Sequence, residues 1–425
     1  MNEELFQLIW LHGLFDMDQL STTSGLPINI VNRGYHNHDA GPDFLNARIF
    51  IDGTLWFGQV ELHTNTIQWQ QHQHHMDKAY NSCILHVVLD EGFECMRQDG
   101  TPVPCLSLKN RVRAGLTEQY DYLKFSSAQI PCNKALPYVS QLDIRQAIDQ
   151  ALVSRLERKS RWVYDWLQSS NGDWHTVFLA ALARSFGFGT NGEAFEQLAL
   201  NLPMLEICKS ENNLHKITAI LFGVAGFLDE LPKDVMQAKL QQEWNFQQHR
   251  LNLHALDKSL FKFMRMRPGN FPSIRLAQLA ALLQNFQALM KGLMDAHSIP
   301  AMLTLMDTNL PEYWQNHYQL GIEGKQHQSR LSLSARQTLL INALVPFLFV
   351  YGKHTGDENY CVKALDILQK LPPEDNRIIR DWHELGIEAT SAFDSQALIE
   401  LKKNKCAARL CSNCPIGIAV LTSQL

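Results

Sequence analysis

The sequence predicts an α+β protein, with an N-terminal mixed sheet flanked by helices and a mostly α-helical domain after it. Three observations lead to this class. β-Prone runs fill the N-terminal part, helical periodicity dominates beyond the boundary stretch IPCNKALP, and three cysteines crowd together near the C-terminus. We therefore expect domains over residues 1–130 and 140–400, and a short cysteine-bearing tail over residues 401–425.

The N-terminal elements are expected in the order helix, strand, strand, strand, helix, strand. EELFQLIWLHGLF has apolar residues at helical spacing, and INIVNRG is typical of a short strand. FLNARIFI and LWFGQVELHT flank Asp52-Gly53, a dipeptide that favours the type I′ turn of a β-hairpin because that turn needs positive φ. MDKAYNS suggests a short helix, and CILHVVLD is typical of a buried strand.

The second domain is expected to be entirely helical. DIRQAIDQALVSRLERKSRWVYDWLQ and HKITAILFGVAGFLDEL are typical of the region, because their apolar residues recur every three to four positions. LLINALVPFLFVYG is too short to span a membrane and carries Asn342 and Pro346, so we expect a buried helix.

The composition is that of an ordinary soluble globular protein, with 45% hydrophobic and 19% charged residues among 425. The net charge of −5 argues against binding a polyanion through overall charge, although it is compatible with local basic patches. The start MNEELFQLIWLHGLF has no basic n-region and no small-residue cleavage site, so we expect no signal peptide. Together with nine scattered cysteines, this favours a reducing, cytoplasmic location and no membrane partner.

The predicted hairpin carries the most informative polar residues. Residues two apart on a strand share a face, so Gln59, Glu61 and His63 point to one side of the sheet. Pairing of the two strands brings the end of the second strand near Asp43, which makes these four the candidate catalytic residues. Mg²⁺ takes one or two carboxylates together with waters and phosphate oxygens, so Asp43 and Glu61 are its expected ligands. A turn capped by Asp43 and a solvated strand face would look the same in sequence.

The segments GPDF and VELH resemble the signature of the PD-(D/E)xK nuclease superfamily, which has Pro-Asp at the start of one core strand and Glu-x-Lys late in the next. The predicted element order is similar to the restriction-endonuclease-like core of that superfamily. The resemblance implies that Asp43 and Glu61 hold Mg²⁺ and that an acid of the first helix, Glu4 or Glu3, joins them. It also implies that His63, in place of the usual lysine, positions the attacking water.

Histidines cluster beside the hairpin in the segment HQHHMDKAYNSCILH. His72 and His75 share a face if this segment is helical, and His38 lies just before the Gly-Pro-Asp segment. We expect these three histidines to contact substrate. Zinc suits imidazole ligands, but the order of residues matches no familiar zinc motif, so a polar loop rich in histidine is the competing interpretation.

The C-terminal tail KNKCAARLCSNCPIG is a stronger metal candidate, because Cys-x2-Cys beside a further cysteine is a typical metal-ligand spacing. Cys406, Cys411 and Cys414 need a fourth ligand for a zinc ion or a 4Fe–4S cluster, and Cys132 and Cys361 are the candidates. The layout is similar to that of some PD-(D/E)xK nucleases of recombination and CRISPR adaptation, with its gaps in the opposite order. Buried cysteines at a helix end are the alternative.

Two basic stretches of the helical region are candidates for binding phosphate. In RMRPGNFPSIRLAQLA, a turn opens a helix beside Arg265, Arg267 and Arg275, which is a typical anion-binding arrangement. Residues 145–163 carry five basic and two acidic residues near two tryptophans, a combination that suits a nucleic-acid backbone. Both patterns are also common on ordinary helix surfaces with salt-bridged arginines.

Over nearly the whole chain, GPDFLNARI, VELH, YNSCILHVV, FGFGTNGEAFEQLA, RPGNFPSIRLAQLA and CSNCPIG resemble one bacterial family known as a domain of unknown function. That resemblance implies no activity, so a functional prediction depends on the residues. We predict a Mg²⁺-dependent nuclease or a degenerate nucleic-acid-binding relative, with nucleic acid as its partner. The alternative is a non-catalytic interaction protein whose hairpin face contacts a partner.

Overall fold

A computed structural model describes residues 1–210 and 212–423 of the chain. The predicted class is confirmed: a curled mixed sheet lies in the N-terminal part, and the rest is mostly helical. The chain divides into two compact units, one formed by residues 1–149 with the tail from residue 401, the other by residues 150–400. The cysteine-bearing tail therefore belongs to the same unit as the sheet.

The sheet has six strands: β1 Ile28–Asn32, β2 Tyr35–His36, β3 Phe44–Ile51, β4 Thr54–Asn65, β5 Cys83–Asp90 and β6 Cys105–Ser107. Their order is β1-β3-β4-β5-β6, and β2 also pairs with β3. The pairs of β3 with β1, β2 and β4 are antiparallel, whereas β4–β5 and β5–β6 are parallel. The sheet is therefore mixed, as the sequence predicts.

The hairpin between β3 and β4 forms at the predicted turn. Asp52 and Gly53 have φ of 51° and 73°, and Ile51 pairs with Thr54 across them. Positive φ at both central residues is the requirement of the type I′ turn, and glycine meets it without strain. The register shifts once between Phe44 and Ala47, so the strand start is set by a bulge as well as by the turn.

The core of the sheet unit lies against the apolar faces of β3 and β4. Phe44, Ala47 and Ile49 on β3 are fully buried, and so are Val60 and Leu62 on β4. The β5 residues from 83 to 88 are all buried, which is the pattern of a strand covered on both faces between parallel neighbours.

The helices of the chain, α1 to α19, are Glu3–His12, Ile67–Gln71, Leu116–Phe125, Gln141–Ser169, Trp174–Phe186, Gly192–Leu200, Met204–Lys209, Leu214–Val224, Val235–Leu251, Pro272–Leu283, Phe286–Asp295, Ile299–Leu305, Tyr313–Asn316, Leu333–Leu339, Val345–Thr355, Glu358–Lys370, Arg377–Glu384, Ala392–Glu400 and Pro415–Thr422. A small hairpin in the second unit pairs β7 His317–Gln319 with β8 Ile322–Glu323. The helix between β4 and β5 lies at α2, earlier than MDKAYNS, where a 3₁₀ helix, Lys78–Ser82, forms instead.

The helix that contains LLINALVPFLFVYG is longer than its apolar run. Among the described residues, one continuous helix, Leu333–Thr355, is long and apolar enough to cross a membrane by length and composition. The most apolar 18-residue segment of this helix is 61% buried inside the protein. Core helices of globular proteins pass the same test.

A buried ionic network in the helical unit uses the basic stretch of α4. Arg158 donates to Glu400 through Nε at 3.1 Å and Nη2 at 2.6 Å, and Arg155 approaches the same carboxylate at 3.8 Å. Asn342 Oδ1 accepts from Lys159 Nζ at 2.6 Å and from Arg155 at 3.1 Å. These three cations therefore bind other helices of the same unit. Salt-bridged side chains of this kind were the alternative to a nucleic-acid-binding surface.

Candidate metal centre

The hairpin brings two acidic residues together at one end of the sheet. Asp43 directly precedes β3, and Glu61 lies near the end of β4, where Phe44 pairs with Val60. The Asp43 backbone N–H donates to Glu61 Oε2 at 3.0 Å, and the Leu62 N–H donates to Asp43 Oδ2 at 3.0 Å. This reciprocal pair of hydrogen bonds fixes both carboxyl groups side by side.

The first helix contributes Glu3 and Gln7 to this place, and not Glu4. Gln7 Nε2 donates to Asp43 Oδ1 at 2.8 Å, and Glu3 lies one turn earlier on the same face of α1. The Glu4 carboxylate is bound instead by three side chains: Tyr120, Lys124 and Ser412. Of the two acids that the sequence left open, the structure therefore places Glu3 beside the pair and Glu4 away from it, because neighbouring helix positions point about 100° apart.

Burial and like charge together raise the pKa of both carboxyl groups. Burial, followed by the charge of Glu61, raises the pKa of Asp43 to about 7. Burial, followed by the nearby charge of Glu3, raises the pKa of Glu61 to about 8, against the lowering effect of the Asp43 N–H. Keeping these groups ionised in the metal-free protein therefore costs free energy, and a bound cation would offset that cost.

His63 is fully buried beside Glu61, and both of its ring nitrogens contact other imidazoles. Nδ1 lies 2.9 Å from His86 Nε2, and Nε2 lies 3.1 Å from His72 Nδ1. Burial, followed by these neighbouring histidines, lowers the pKa of His63 to about 2. His63 is therefore neutral at physiological pH. Its nitrogens face other side chains, so the geometry does not favour the predicted role of positioning a water molecule.

His72 is accompanied in the site by His74 and not by His75, contrary to the helical spacing. Helix α2 ends at Gln71, and Gln73 has φ of 62°, so the chain turns before the 3₁₀ helix His74–Met76 begins. This left-handed residue turns His74 inward, where its ring stacks on Tyr80 at a centroid distance of 3.8 Å. His63, His72 and His74 each offer a nitrogen within 4.8 Å of the others.

The remaining candidates of the sheet unit lie farther from this group. Gln59 is half-buried and pairs with Cys83, where the register between β4 and β5 shifts. His38 is exposed, and its ring packs edge-on against His36 at 4.5 Å. Neither belongs to the set of histidines that can share an ion.

The three predicted arginines of the helical unit do not form one surface group. Arg265 and Arg267 are exposed, whereas Arg275 is buried on α10. The Arg275 guanidinium donates to Gln278 and Asn270 at 2.7 and 2.6 Å and lies over the Phe188 ring at 4.1 Å. Arg275 therefore braces the turn before α10, which corrects its predicted role in substrate binding.

Of the two candidates for a fourth cysteine, Cys132 lies in the same unit as the three tail cysteines and Cys361 does not. Burial raises the pKa of the Cys132 thiol, and the nearby sulfur atoms of three others raise it further: Cys406, Cys414 and Cys411. Cys361 lies in the other unit, where its thiol donates to the Phe349 carbonyl. Close packing of the tail explains the glycine of CPIG, because a Cβ at Gly417 would lie 2.1 Å from the Cys411 carbonyl oxygen. All four cysteines are free thiols.

Sequence reasoning placed His74 and His86 beside the hairpin without selecting them as site residues, and it missed Gln7. His74 and His86 lie in the quoted histidine-rich segment, but nothing in their spacing separates them from His75. Gln7 lies four residues after Glu3, so helical periodicity links the two once α1 is known to face the hairpin. The signals were therefore present, but only the packing of α1 and the turn at Gln73 select among them.

Comparison with known proteins gives one match. A family model described as "Protein of unknown function (DUF2851)" matches residues 3–377, well over half of the chain. No curated protein and no solved structure matches the chain.

Proposed function

We propose, for a chain that belongs to the DUF2851 family of proteins of unknown function, that it is a divalent-cation-dependent phosphodiesterase acting on nucleic acid. The observation that carries the proposal is the reciprocal hydrogen bonding of Asp43 and Glu61, which holds a half-buried and a buried carboxyl group at one point. The order of helix, strands, helix and strand around them is compatible with the PD-(D/E)xK resemblance of GPDF and VELH.

Each residue of the pair is oriented by another part of the fold. Gln7 and the Leu62 N–H each bind one oxygen of Asp43, so that carboxyl group cannot rotate freely. A hard cation such as Mg²⁺ held by Asp43 and Glu61 would activate water and stabilise charge at the scissile phosphate. Glu3 adds negative charge at the same place and so favours a cation there.

A surface that suits nucleic acid lies on the same face of β4. Alternation along the strand puts Phe57 on the side of Glu61, and Phe57 is 67% exposed. Arg48 is exposed and pairs with Phe57 across the hairpin, and Tyr35 lies nearby along one groove. Aromatic rings stack on bases and arginine binds phosphate, so this face would guide a strand toward the carboxylates.

The test is metal-dependent cleavage of single-stranded and duplex DNA and RNA by the full chain, with Mg²⁺ or Mn²⁺ after removal of bound metal. Asp43→Asn is expected to lower cleavage at least about 100-fold, because a neutral amide is a poor ligand for a hard cation. Asp39→Asn is the matched control, since Asp39 is an exposed acid of the same loop. Equal activity of the two variants, or no cleavage by the wild type, would reject the proposal.

A second candidate, a non-catalytic interaction protein, is favoured by the apolar tip of the hairpin. Trp56 is 46% exposed beside Phe57, and Phe50 and Leu55 are also exposed. Contiguous exposed apolar residues often mark a protein interface. Nucleic-acid binding measured against salt separates the two candidates, because phosphate contacts make affinity fall steeply with salt. Neither cleavage nor binding at low salt would favour the interaction protein.

The four cysteines are a separate proposal. We infer that Cys132, Cys406, Cys411 and Cys414 bind zinc or an iron–sulfur cluster, because the spacing of the tail cysteines is typical of metal ligands and their charges act on Cys132. Among the described residues their sulfur atoms do not form a group within 4.8 Å, so the metal would draw them together. Metal analysis of anaerobically purified protein should show one zinc ion or one cluster, and a Cys411→Ala, Cys414→Ala double variant should lose it. The control is Cys361→Ala, outside the group. If the wild type folds without bound metal, the proposal of a cysteine metal site is wrong.

A further inference from the structure

We propose that the histidine side of the site is a second cation site, for one divalent transition-metal ion of the zinc class. Its nitrogen ligands would come from the group of His63, His72 and His74, and Glu61 Oε1, which contacts His63 and His74, would be the fourth ligand. Such a site takes a softer ion than the carboxylate pair does, because imidazole nitrogen suits zinc and its neighbours in the transition series. Glu61 would be common to both.

Three of the distances between these atoms are close to the ligand–ligand distances around a tetrahedral zinc ion. Zinc binds nitrogen and carboxylate oxygen at about 2.0–2.2 Å, which puts two ligand atoms of a tetrahedron roughly 3.3–3.5 Å apart. His63 Nε2 lies 3.1 Å from His72 Nδ1 and 3.5 Å from Glu61 Oε1. His74 Nε2 lies 3.2 Å from the same Glu61 oxygen. The three imidazole nitrogens lie within 4.8 Å of one another, so the more distant pairs would draw closer around a bound ion.

Hydrogen bonds account for the contacts of His63 with His72 and His86, but not for the position of His74. His74 Nε2 is buried, and within residues 1–210 and 212–423 it has no hydrogen-bond partner. Its 3.2 Å approach to Glu61 is close but lacks the alignment of a hydrogen bond. A buried nitrogen without a hydrogen-bond partner is unfavourable, and an ion bound by both His74 and Glu61 would satisfy it.

Groups behind the ligands hold them in place. His86 Nε2 contacts His63 Nδ1 at 2.9 Å, so the opposite nitrogen of His63 faces Glu61 and His72. Bonds to the far nitrogen of a ligating histidine commonly orient it, and their loss costs about 10–100-fold in metal affinity. The His74 ring is fixed by stacking on Tyr80. His72 is exposed and gives an ion a path from solvent.

Binding is measured on the full chain without nucleic acid, so the result is independent of any cleavage. Metal-stripped protein is titrated with Zn²⁺ by calorimetry, and with Co²⁺ by its visible absorption, in the Cys411→Ala, Cys414→Ala background. That background removes two of the four thiols proposed to bind metal and so weakens their competition for the ion. One equivalent of Zn²⁺ is expected to bind and to raise the thermal midpoint.

His72→Ala is the decisive variant, because His72 is exposed and its loss leaves the packed rings in place. It should weaken Zn²⁺ binding at least about 10-fold, and adding His74→Ala should abolish it. His75→Ala is the matched control and should bind as the parent does. Unchanged affinity in His72→Ala, equal loss in the control, or no binding by the parent would overturn the inference. Cleavage with Mg²⁺ by a protein that binds no Zn²⁺ would overturn it and leave the proposed function standing.

Discussion

The carboxylate–histidine site of the sheet unit and the Arg155–Glu400 network of the helical unit both bury ionisable side chains, but they combine them differently. In the network, Glu400 meets two arginines, and Asn342 accepts from the neighbouring cations. In the site, Asp43 and Glu61 meet each other. The network contains a counter-charge, because Glu400 lies between two arginines, whereas the site places two carboxyl groups together, and we propose that a cation completes it.

The largest expected effect breaks the network. Glu400→Gln should lower the free energy of unfolding by about 3–5 kcal/mol, because it removes the main counter-charge of Arg155, which is largely buried, and of the half-buried Arg158. Urea denaturation measures the change, and Glu388→Gln, at an exposed acid beside His383, is the control. A loss no larger than in the control would mean that the buried pairs contribute as little as surface ion pairs do.

The same kind of substitution in the carboxylate–histidine site should raise the free energy of unfolding instead of lowering it. Asp43→Asn removes a charge that burial and Glu61 disfavour, while its backbone N–H still donates to Glu61. Metal-free Asp43→Asn should therefore be more stable than wild type at pH 8, by about 2 kcal/mol. Denaturation in the presence of a chelator tests this. If Asp43→Asn destabilised the protein as much as Glu400→Gln, both regions would depend on their buried charges for stability, and the proposed difference between them would be wrong.

The pH dependence of stability should follow the same carboxyl groups. Their folded pKa values, about 7 and 8, lie above the ordinary values of 3.8 and 4.5. Their contribution to the free energy of unfolding is therefore fully present below those ordinary values and is lost as the pH rises through 7–8. His63 and His86 have lowered pKa values and act oppositely, but only below about pH 6.5.

From pH 6.5 to 8, metal-free wild type should therefore lose about 1–2 kcal/mol of unfolding free energy. Mn²⁺ or Mg²⁺ should flatten this slope, because the cation favours the ionised pair. Denaturation at fixed ionic strength, with and without metal, is the measurement. A wild-type slope equal to that of Asp43→Asn would show that this carboxyl group does not carry the effect.

The smallest effect concerns charges that belong to neither region. Replacing exposed Arg265 and Arg267 by alanine should change stability by no more than about 0.5 kcal/mol. If the pair binds phosphate as predicted, nucleic-acid affinity should fall and its salt dependence should shrink by about one to two ions. The double variant Arg330→Ala, Arg377→Ala, at two other exposed arginines, controls for net charge. An unchanged salt dependence would remove Arg265 and Arg267 from the substrate-binding residues.

The sequence by itself determined the features that depend on local rules. Asp52-Gly53 selects its turn because positive φ is a property of those two residues, and pairing across that turn then brings Asp43 near Glu61. Alternation along β4 puts Glu61 and His63 on one face for the same reason. The α+β class follows from the two periodicities of the chain.

Only the tertiary structure decided which members of each polar group meet. One left-handed residue, Gln73, brings in His74 in place of His75, and the orientation of α1 places Glu3 rather than Glu4 at the site. Cys132 joins cysteines that lie far along the chain. Periodicity defines the face on which a side chain lies, but what that face contacts depends on how elements distant in sequence pack, and no local pattern records that.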